Sequence, residues 1–152
     1  MAISSQATAN DFSQHRIGVG YSLTDAEAFG VSVGYCSGLK LEYGYDFNHI
    51  AGAHVSYEQN KEGFLKGSNL KFGGDFGYAF DLEGASIKPF NSAGLYSYDE
   101  NFFDDSGFYF GFGARALINR FYVDIHTDYF DMDDAGVSID MDQFSFTLGM
   151  TF

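Results

Sequence analysis

The sequence has no tryptophan, one proline and one cysteine among its 152 residues. A single cysteine, Cys36, excludes an internal disulfide bond, and we expect it to be a small packed residue or a free thiol in a loop. Basic residues are also scarce: 8 Lys and Arg stand against 21 Asp and Glu, giving a net charge of −13. This charge argues against nucleic acid as a partner. No run approaches the roughly 18 apolar residues of a transmembrane helix, but a transmembrane β-strand would escape that test.

The first ten residues lack the basic and apolar regions of a signal peptide. The sequence therefore predicts either a cytosolic protein or a mature form that carries an added initiator methionine. We expect a polar N-terminal arm over residues 1–14 and one domain over residues 15–152, because the length suits a single domain.

What the chain has in abundance is aromatic residues and glycine, with 18 Phe, 11 Tyr and 19 Gly. Phe and Tyr favour strands, whereas scattered glycine weakens helices, so composition predicts an all-β fold. The clearest strand is at the C-terminus, where large apolar residues alternate with small or hydroxylated ones. The apolar set there is Phe144, Phe146, Leu148, Met150 and Phe152.

Seven other segments are also predicted strands, in residues 16–23, 38–47, 50–59, 69–80, 85–98, 107–118 and 121–130. The fifth is ambiguous, since Pro89 and the mixed run after it do not resolve into two faces. Strands of about ten residues suit a tilted crossing of a bilayer. Short connections near residues 48, 82–84 and 119–120 alternate with longer polar ones at 24–37, 60–68, 99–106 and 131–141. This pattern predicts a closed antiparallel eight-stranded transmembrane β-barrel with short periplasmic and longer external connections.

Residues 29–35 alternate as well as any strand but lie in the first predicted external connection. They either extend the first strand above the membrane or belong to a ten-stranded barrel.

Alternation alone does not say which face points outward, because a soluble barrel has its apolar face inside. The apolar face here carries aromatics too bulky for the lumen of eight strands. The other face combines Gly and Ser with charges of both signs, which suits an interior of paired charges. We therefore expect the apolar face to meet lipid. The predicted interior polar network is Arg16, Lys40, Glu42, Asp46, His54, Glu58, Lys71, Asp75, Arg115, Tyr122, Asp124, His126 and Asp128.

The run from Arg16 to Phe152 resembles the small eight-stranded outer-membrane proteins of the OmpX/Ail family and, more loosely, the membrane domain of OmpA. The matching pieces are residues 38–46, Ile87-Lys88-Pro89-Phe90, the glycine-spaced residues 107–113 and the terminal strand. The resemblance implies that the alternating strand ending in Phe152 is a signal read by the barrel-assembly machinery. Net acidity and rather short external connections depart from the adhesive members of that family.

His126 lies between Asp124 and Asp128 on one face, and a carboxylate can orient a histidine as a general base. Lipid A deacylases are also small outer-membrane barrels, and similarity to them would bring His126 and Asp142 onto their pattern. Their nucleophilic serine, two positions after the histidine, is Asp128 here. We therefore predict no enzyme activity and keep a lipid A-modifying enzyme as an alternative.

Two acidic clusters are predicted to lie in external loops. They contain Asp99, Glu100, Phe102, Phe103, Asp104 and Asp105, and then Asp131, Asp133 and Asp134, with Asp140 and Asp142 beyond. The second cluster lacks the ligand spacing of a calcium loop, so a solvated acidic surface is expected, with divalent bridging to lipopolysaccharide phosphates as the alternative.

These features predict a monomeric protein of the bacterial outer membrane with no cofactor and no bound metal. Its expected partners are outer-membrane lipid and lipopolysaccharide, the barrel-assembly machinery and an extracellular ligand that the sequence does not name. The expected function is a non-catalytic structural or surface-interaction role through the acidic external loops. A small ion-conducting pore is a further alternative, although eight-stranded lumens are filled by side chains.

Overall fold

The computed structural model describes residues 14–62, 65–100, 103–134 and 136–152. Within these ranges it contains nine β-strands and no helix long and apolar enough to cross a membrane. The strands are β1 (Gln14–Ala28), β2 (Val31–Asp46), β3 (Ala51–Glu62), β4 (Leu65–Gly77), β5 (Phe80–Leu82), β6 (Ala85–Glu100), β7 (Phe103–Ile118), β8 (Phe121–Asp134) and β9 (Val137–Thr151).

The strands form one closed antiparallel sheet in which chain neighbours pair and the last strand returns to the first. β1 pairs with both β2 and β9, and β4 pairs with β6. β5 also pairs with β6 just beyond the end of β4, so β4 and β5 are two parts of one interrupted strand. At the seam, the backbone N–H groups of His15 and Phe152 each donate to the other residue's carbonyl oxygen. The predicted closed barrel of eight strands is confirmed, and its ten-stranded alternative is wrong.

The barrel is strongly staggered. A path that crosses the strands from Arg16 along paired residues returns to β1 at Ala26, ten residues further along the same strand. This stagger requires the strands to tilt by roughly 35–45° from the barrel axis. A tilted barrel is wider than an untilted one with the same number of strands, which makes room for long side chains inside.

The expected long external loops are mostly strand. Residues 24–28 pair with residues 31–36 inside the first hairpin, with a register shift between Thr24 and Asp25, and residues 131–134 pair with 137–140 inside the last. Polar composition suggested loops, but an antiparallel hairpin satisfies its own backbone hydrogen bonds and tolerates polar side chains facing water. Residues 31–35 accordingly extend β2. We call the end that carries these extensions the hairpin end, and the opposite end, with Gln14 and Phe152, the terminal end.

Alternation places the apolar side chains outside and the charged ones inside. Ile17, Leu41, Phe72 and Phe146 are exposed on the outer wall, whereas Arg16 is fully buried in the lumen. The ambiguous fifth segment is also regular in the structure: β6 turns Lys88, Phe90 and Ser92 inward and Pro89 outward. The polar N-terminal arm lies outside the described residues up to position 13, and β1 begins at Gln14.

Candidate functional site: the filled lumen and the acidic hairpin end

The terminal half of the lumen is held by a cluster of charges centred on Asp75, which is completely buried. Arg16 Nη2 donates to Asp75 Oδ1 at 3.2 Å, and Arg115 Nη1 donates to Asp75 Oδ2 at 3.1 Å. Lys88 Nζ lies 3.4 Å from Asp75 Oδ2, and Arg16 also donates to Asp46 at 2.7 Å. Four strands contribute to this cluster around Asp75 besides β4 itself. Buried charges of opposite sign in this arrangement lock the strands to one another across the lumen.

A second group of charges surrounds His126 in the middle of the lumen. His126 Nδ1 lies 2.7 Å from Asp124 Oδ1, while Nε2 lies 3.2 Å from Lys40 Nζ and 3.5 Å from Asp128 Oδ2. Lys40 also pairs with Glu42 at 2.8 Å. Both ring nitrogens of His126 therefore contact charged neighbours, and the contact with Lys40 joins β8 to β2 across the lumen.

Lys71 makes the third group, nearer the hairpin end. Its Nζ donates to Asp128 Oδ2 at 2.6 Å and to the side-chain oxygen of Gln143. The Nε2 amide of Gln143 in turn donates to Thr24 Oγ1 at 2.9 Å. Glu58 is fully buried, and its carboxylate lies 3.8 Å from Lys71 Nζ. This chain of contacts reaches from β4 across the lumen to β1.

Above the charges, the lumen is filled by an apolar cluster made of Tyr96, Tyr98, Tyr109, Phe130, Met132 and Met141. The Tyr96 hydroxyl lies 2.6 Å from the Asp131 carbonyl oxygen and 3.0 Å from Asp105 Oδ2. The Tyr109 hydroxyl lies 2.7 Å from His54 Nε2 and so joins this cluster to the charges beneath. Large aromatics therefore occupy the hairpin half of the interior, whereas Tyr122 is the aromatic residue of the predicted interior network.

Tyr122 occupies the lumen near the terminal end, against the inside of the barrel wall. It is 1% exposed and lies across the backbone of Gly18 and Gly149 on the neighbouring strands β1 and β9. A Cβ atom at either glycine would collide with the tyrosine ring or hydroxyl. The two glycines thus provide the space that a large inward ring needs in a narrow barrel.

All the residues predicted for the interior network lie inside the barrel, where the structure brings most of them into the three charge groups. Sequence reasoning missed Lys88, Gln143 and the aromatic cluster of the hairpin half, of which Tyr96 and Tyr98 come from the ambiguous fifth segment. Assigning Ile87, Pro89 and Asn91 to one outward face would have placed Lys88 inside. No comparable signal exists for Gln143, because its inward position matters only through Lys71 on the far wall.

The outward face of the hairpin end carries acids that oppose one another across strands. Asp25 is paired in register with Asp142, and Asp140 is paired with both Glu27 and Asp131. Asp99 and Asp104 are opposed in the same way on β6 and β7. Partial burial and the neighbouring Asp140 carboxylate raise the pKa of Asp131. Like charges directly opposite are destabilising, so this face retains repulsion that the fold itself does not relieve.

Several residues predicted for external loops have other positions. Asp99 and Glu100 lie on β6, Asp104 and Asp105 on β7, and Asp131 and Asp133 on β8, because the hairpins continue as paired strand. Glu100 is buried and faces the lumen rather than solvent, since it follows the alternation of β6. Phe103 and Asp134 also belong to strands, and Phe102 lies outside the described residues.

The acids do not form a recognisable metal centre. Among residues 14–62, 65–100, 103–134 and 136–152, no group of three or more His, Cys, Asp or Glu side chains has the geometry to hold a metal ion. The outward-facing acids are instead spread in rows along the outer surface of the hairpins.

A closed barrel with an apolar outer band and a charged, filled lumen defines a transmembrane β-barrel of a bacterial outer membrane. The family model described as "Outer membrane protein beta-barrel domain" matches residues 1–152, and the chain belongs to this family. The predicted resemblance and outer-membrane location are thereby confirmed. A search of curated proteins finds no match.

Solved structures share the fold. Ail, the attachment invasion locus protein of Yersinia pestis, was solved in complex with the heparin analogue sucrose octasulfate; it is 21% identical, with a TM-score of 0.54, over 92% of this chain and 99% of Ail. Neisserial surface protein A has a TM-score of 0.64 at 12% identity, over 91% of this chain and 97% of its own. The outer membrane enzyme PagL has a TM-score of 0.52 at 12% identity, over 84% of this chain and 97% of its own. At these identities the likeness concerns the fold alone.

Proposed function

We propose that this outer-membrane barrel is non-catalytic and acts by surface contact through the acidic outward face of its hairpin end. The observation that carries the proposal is the contrast between a lumen closed by paired charges and hairpins that expose rows of opposed carboxylates. Because this repulsion lowers stability without serving the fold, it indicates a partner whose positive charges would relieve it.

The filled lumen disfavours the alternative of an ion-conducting pore. Arg16, Lys71 and Asp75 are at most 1% exposed and are tied across the barrel by direct ion pairs. The apolar cluster lies above them toward the hairpin end. An ion would have to separate buried pairs and then cross an apolar layer, both of which are energetically costly.

The position of His126 disfavours a lipid A-modifying enzyme, although PagL shows that this fold can carry an enzyme. His126 is buried in the lumen, away from lipid on the outer wall, and its nitrogens face Asp124, Asp128 and Lys40. Ser145 is its register partner on β9, but this serine is also completely buried inside. Neither side chain can contact an acyl chain of lipid A on the outer wall without rearrangement of the barrel.

The acidic surface also argues against the kind of ligand that Ail was solved with. Sucrose octasulfate is a polyanion, and the outward acids of this chain would repel it. We expect no measurable heat of binding when sucrose octasulfate is titrated into the detergent-solubilised protein. Saturable binding would contradict a surface selective for cations.

The proposal is tested by measuring the adhesion of proteoliposomes to beads coated with polylysine or with polyglutamate. Adhesion to polylysine above that of empty liposomes is expected, and it should fall strongly in a variant that combines Asp25→Asn, Glu27→Gln, Asp131→Asn, Asp140→Asn and Asp142→Asn. A matched control replaces the exposed Lys61 and Lys66 at the same end by Gln and should not lower adhesion. Adhesion that ignores the acidic substitutions, or discrete conductance steps in planar bilayers, would overturn the proposal.

Two further expectations accompany this function. The outward apolar band should contact outer-membrane lipid and lipopolysaccharide, and the terminal strand, with Phe144, Phe146, Leu148, Met150 and Phe152 facing outward, should serve the barrel-assembly machinery as its signal. Phe152 stacks on His15 with ring centroids 5.6 Å apart, so the strand that would carry the signal also completes the closed barrel.

A further inference from the structure

The tip of the first hairpin holds an aromatic residue in an unusual conformation. Phe29 and Gly30 connect β1 to β2 with φ angles of 56° and 78°. Positive φ is uncommon for residues with a side chain, and a bulky one there is strained. The other described non-glycine residue with positive φ is Asn119, at the turn before β8, and asparagine is well suited to that conformation.

Phe29 gains nothing from packing that would offset this strain. Its side chain is 91% exposed, more than that of Phe108 on the lipid-facing wall at 80%. Phe108 lies on the barrel wall, but Phe29 lies at the tip of the hairpin end, two residues after Glu27 and four after Asp25 in the chain. A strained, water-exposed phenylalanine at a hairpin tip therefore indicates a contact with another molecule.

The rim around Phe29 has an apolar inner face and an acidic outer face. Ala26 and Ile139 pack against the apolar cluster in the lumen, and Val31 and Val137 continue the same inner face toward the tips, where they are 62% and 37% exposed. Asp25 and Glu27 beside Ala26, and Asp140 beside Ile139, turn outward and belong to the row of carboxylates. At the mouth of the barrel, apolar side chains therefore lie on the inner face of the strands and carboxylates on the outer face of the same strands.

We propose that this mouth binds a cationic amphipathic peptide segment, with Phe29, Val31 and Val137 against its apolar face and Glu27, Asp131 and Asp140 near its basic groups. The inference rests on the proposed surface-contact function and specifies its partner. Charge complementarity selects this occupant: a second copy of the chain, with a net charge of −13, and a phosphate-rich lipid surface would both be repelled. The peptide's apolar face supplies a contact for the exposed phenylalanine.

The absence of tryptophan from the sequence allows a direct test. The Phe29→Trp variant carries a single indole at the tip, and its emission is recorded in nanodiscs of zwitterionic lipid, with empty nanodiscs subtracted. Three synthetic helices without tryptophan are compared: Lys/Leu, Lys/Gln and Glu/Leu. We expect a saturable blue shift with Lys/Leu, and no shift with Lys/Gln or Glu/Leu.

A second measurement removes the aromatic side chain without strain. Phe29→Asn keeps a residue that tolerates positive φ, and it should weaken binding of a dye-labelled Lys/Leu peptide by about tenfold or more, the effect of losing one buried aromatic contact. Phe108→Asn, an equally drastic loss of an exposed phenylalanine on the outer wall, should leave the affinity unchanged. Heat-modifiable migration on gels verifies that both variants fold.

The outcomes separate the two proposals. Equal binding of Lys/Leu and Lys/Gln peptides, or unchanged affinity in Phe29→Asn, would overturn the amphipathic partner and leave surface contact by charge intact. Peptide binding without a shift of the indole emission in Phe29→Trp would likewise overturn it, because the peptide would bind elsewhere. Failure of every cationic probe to bind, together with no adhesion to polylysine, would overturn both.

Discussion

At the terminal end of the barrel the carboxylates are buried in the lumen and paired with cations, whereas on the outward face of the hairpin end they are exposed and oppose one another across strands. Asp75 has Arg16, Lys88 and Arg115 within 3.4 Å, while Asp140 has Glu27 and Asp131 as its register partners. The same side-chain chemistry holds the strands together inside and leaves a negative surface outside. In the proposed function, stability and recognition are therefore divided between the two ends.

The largest loss of stability should follow from Asp75→Asn, which removes the central carboxylate of the charge cluster at the terminal end. The substitution would leave Arg16, Lys88 and Arg115 partly uncompensated in a lumen where Asp75 is completely buried. Loss of one partner of buried charges costs about 3–5 kcal/mol. Urea unfolding of the reconstituted protein measures it. Asp104→Asn, which removes an exposed acid of the hairpin end, should change the free energy of unfolding by less than about 0.5 kcal/mol. Equal losses in the two variants would contradict the difference between the two ends.

A smaller loss is expected when the close packing at the terminal end is disturbed. In Gly149→Ala the new methyl group would collide with the Tyr122 ring, so we expect destabilisation by about 1–3 kcal/mol. Gly34→Ala is the control at the hairpin end, where a Cβ would only touch Asp25 at 3.7 Å. Thermal unfolding followed by the gel shift should place Gly34→Ala near the wild type and Gly149→Ala below it.

At the hairpin end, removing a charge should raise the stability of the protein, because it relieves repulsion between carboxylates. Asp140→Asn removes the central charge of the row and should stabilise the hairpins by roughly 0.2–1 kcal/mol. The gain should shrink at high salt, because exposed charges are screened. Hydrogen exchange of the paired amides in β8 and β9 would detect it. Faster exchange in Asp140→Asn would contradict this prediction, because it would show that the repulsion among these carboxylates is already offset within the free protein.

The smallest effect is on pH dependence. The pKa of Asp131 is raised, so the folded hairpin binds this proton more tightly than the unfolded chain does. The destabilisation by its charge is therefore complete above the folded pKa and disappears as the pH falls toward the unfolded value of about 3.9. Exchange of the β8 and β9 amides, corrected for intrinsic rates, should slow slightly between about pH 7 and pH 4. Asp140→Asn should weaken this trend, because Asp140 contributes to the raised pKa of Asp131 alongside burial, and an unchanged trend would contradict that contribution.

Local alternation predicted much of this molecule because side chains of a strand have a period of two. The terminal strand shows it well: Phe146 and Leu148 are exposed, while Ser145 and Thr147 are buried. Prediction failed where polarity was equated with loop, as at residues 131–141, because backbone pairing there is satisfied by the neighbouring strand and not by composition. It also failed at the fifth segment, where Pro89 obscured a regular alternation.

The fold class, the outward apolar face and the charges that face the lumen all follow from the amino-acid sequence, since they depend on residues that are neighbours along one strand. Which of those charges meet depends on tertiary structure. Asp75 joins Arg16 and Arg115 because barrel closure and a stagger of ten residues bring separate strands to one height. The strained exposure of Phe29 likewise depends on backbone geometry at the tip of a hairpin, which no periodicity in the sequence reveals.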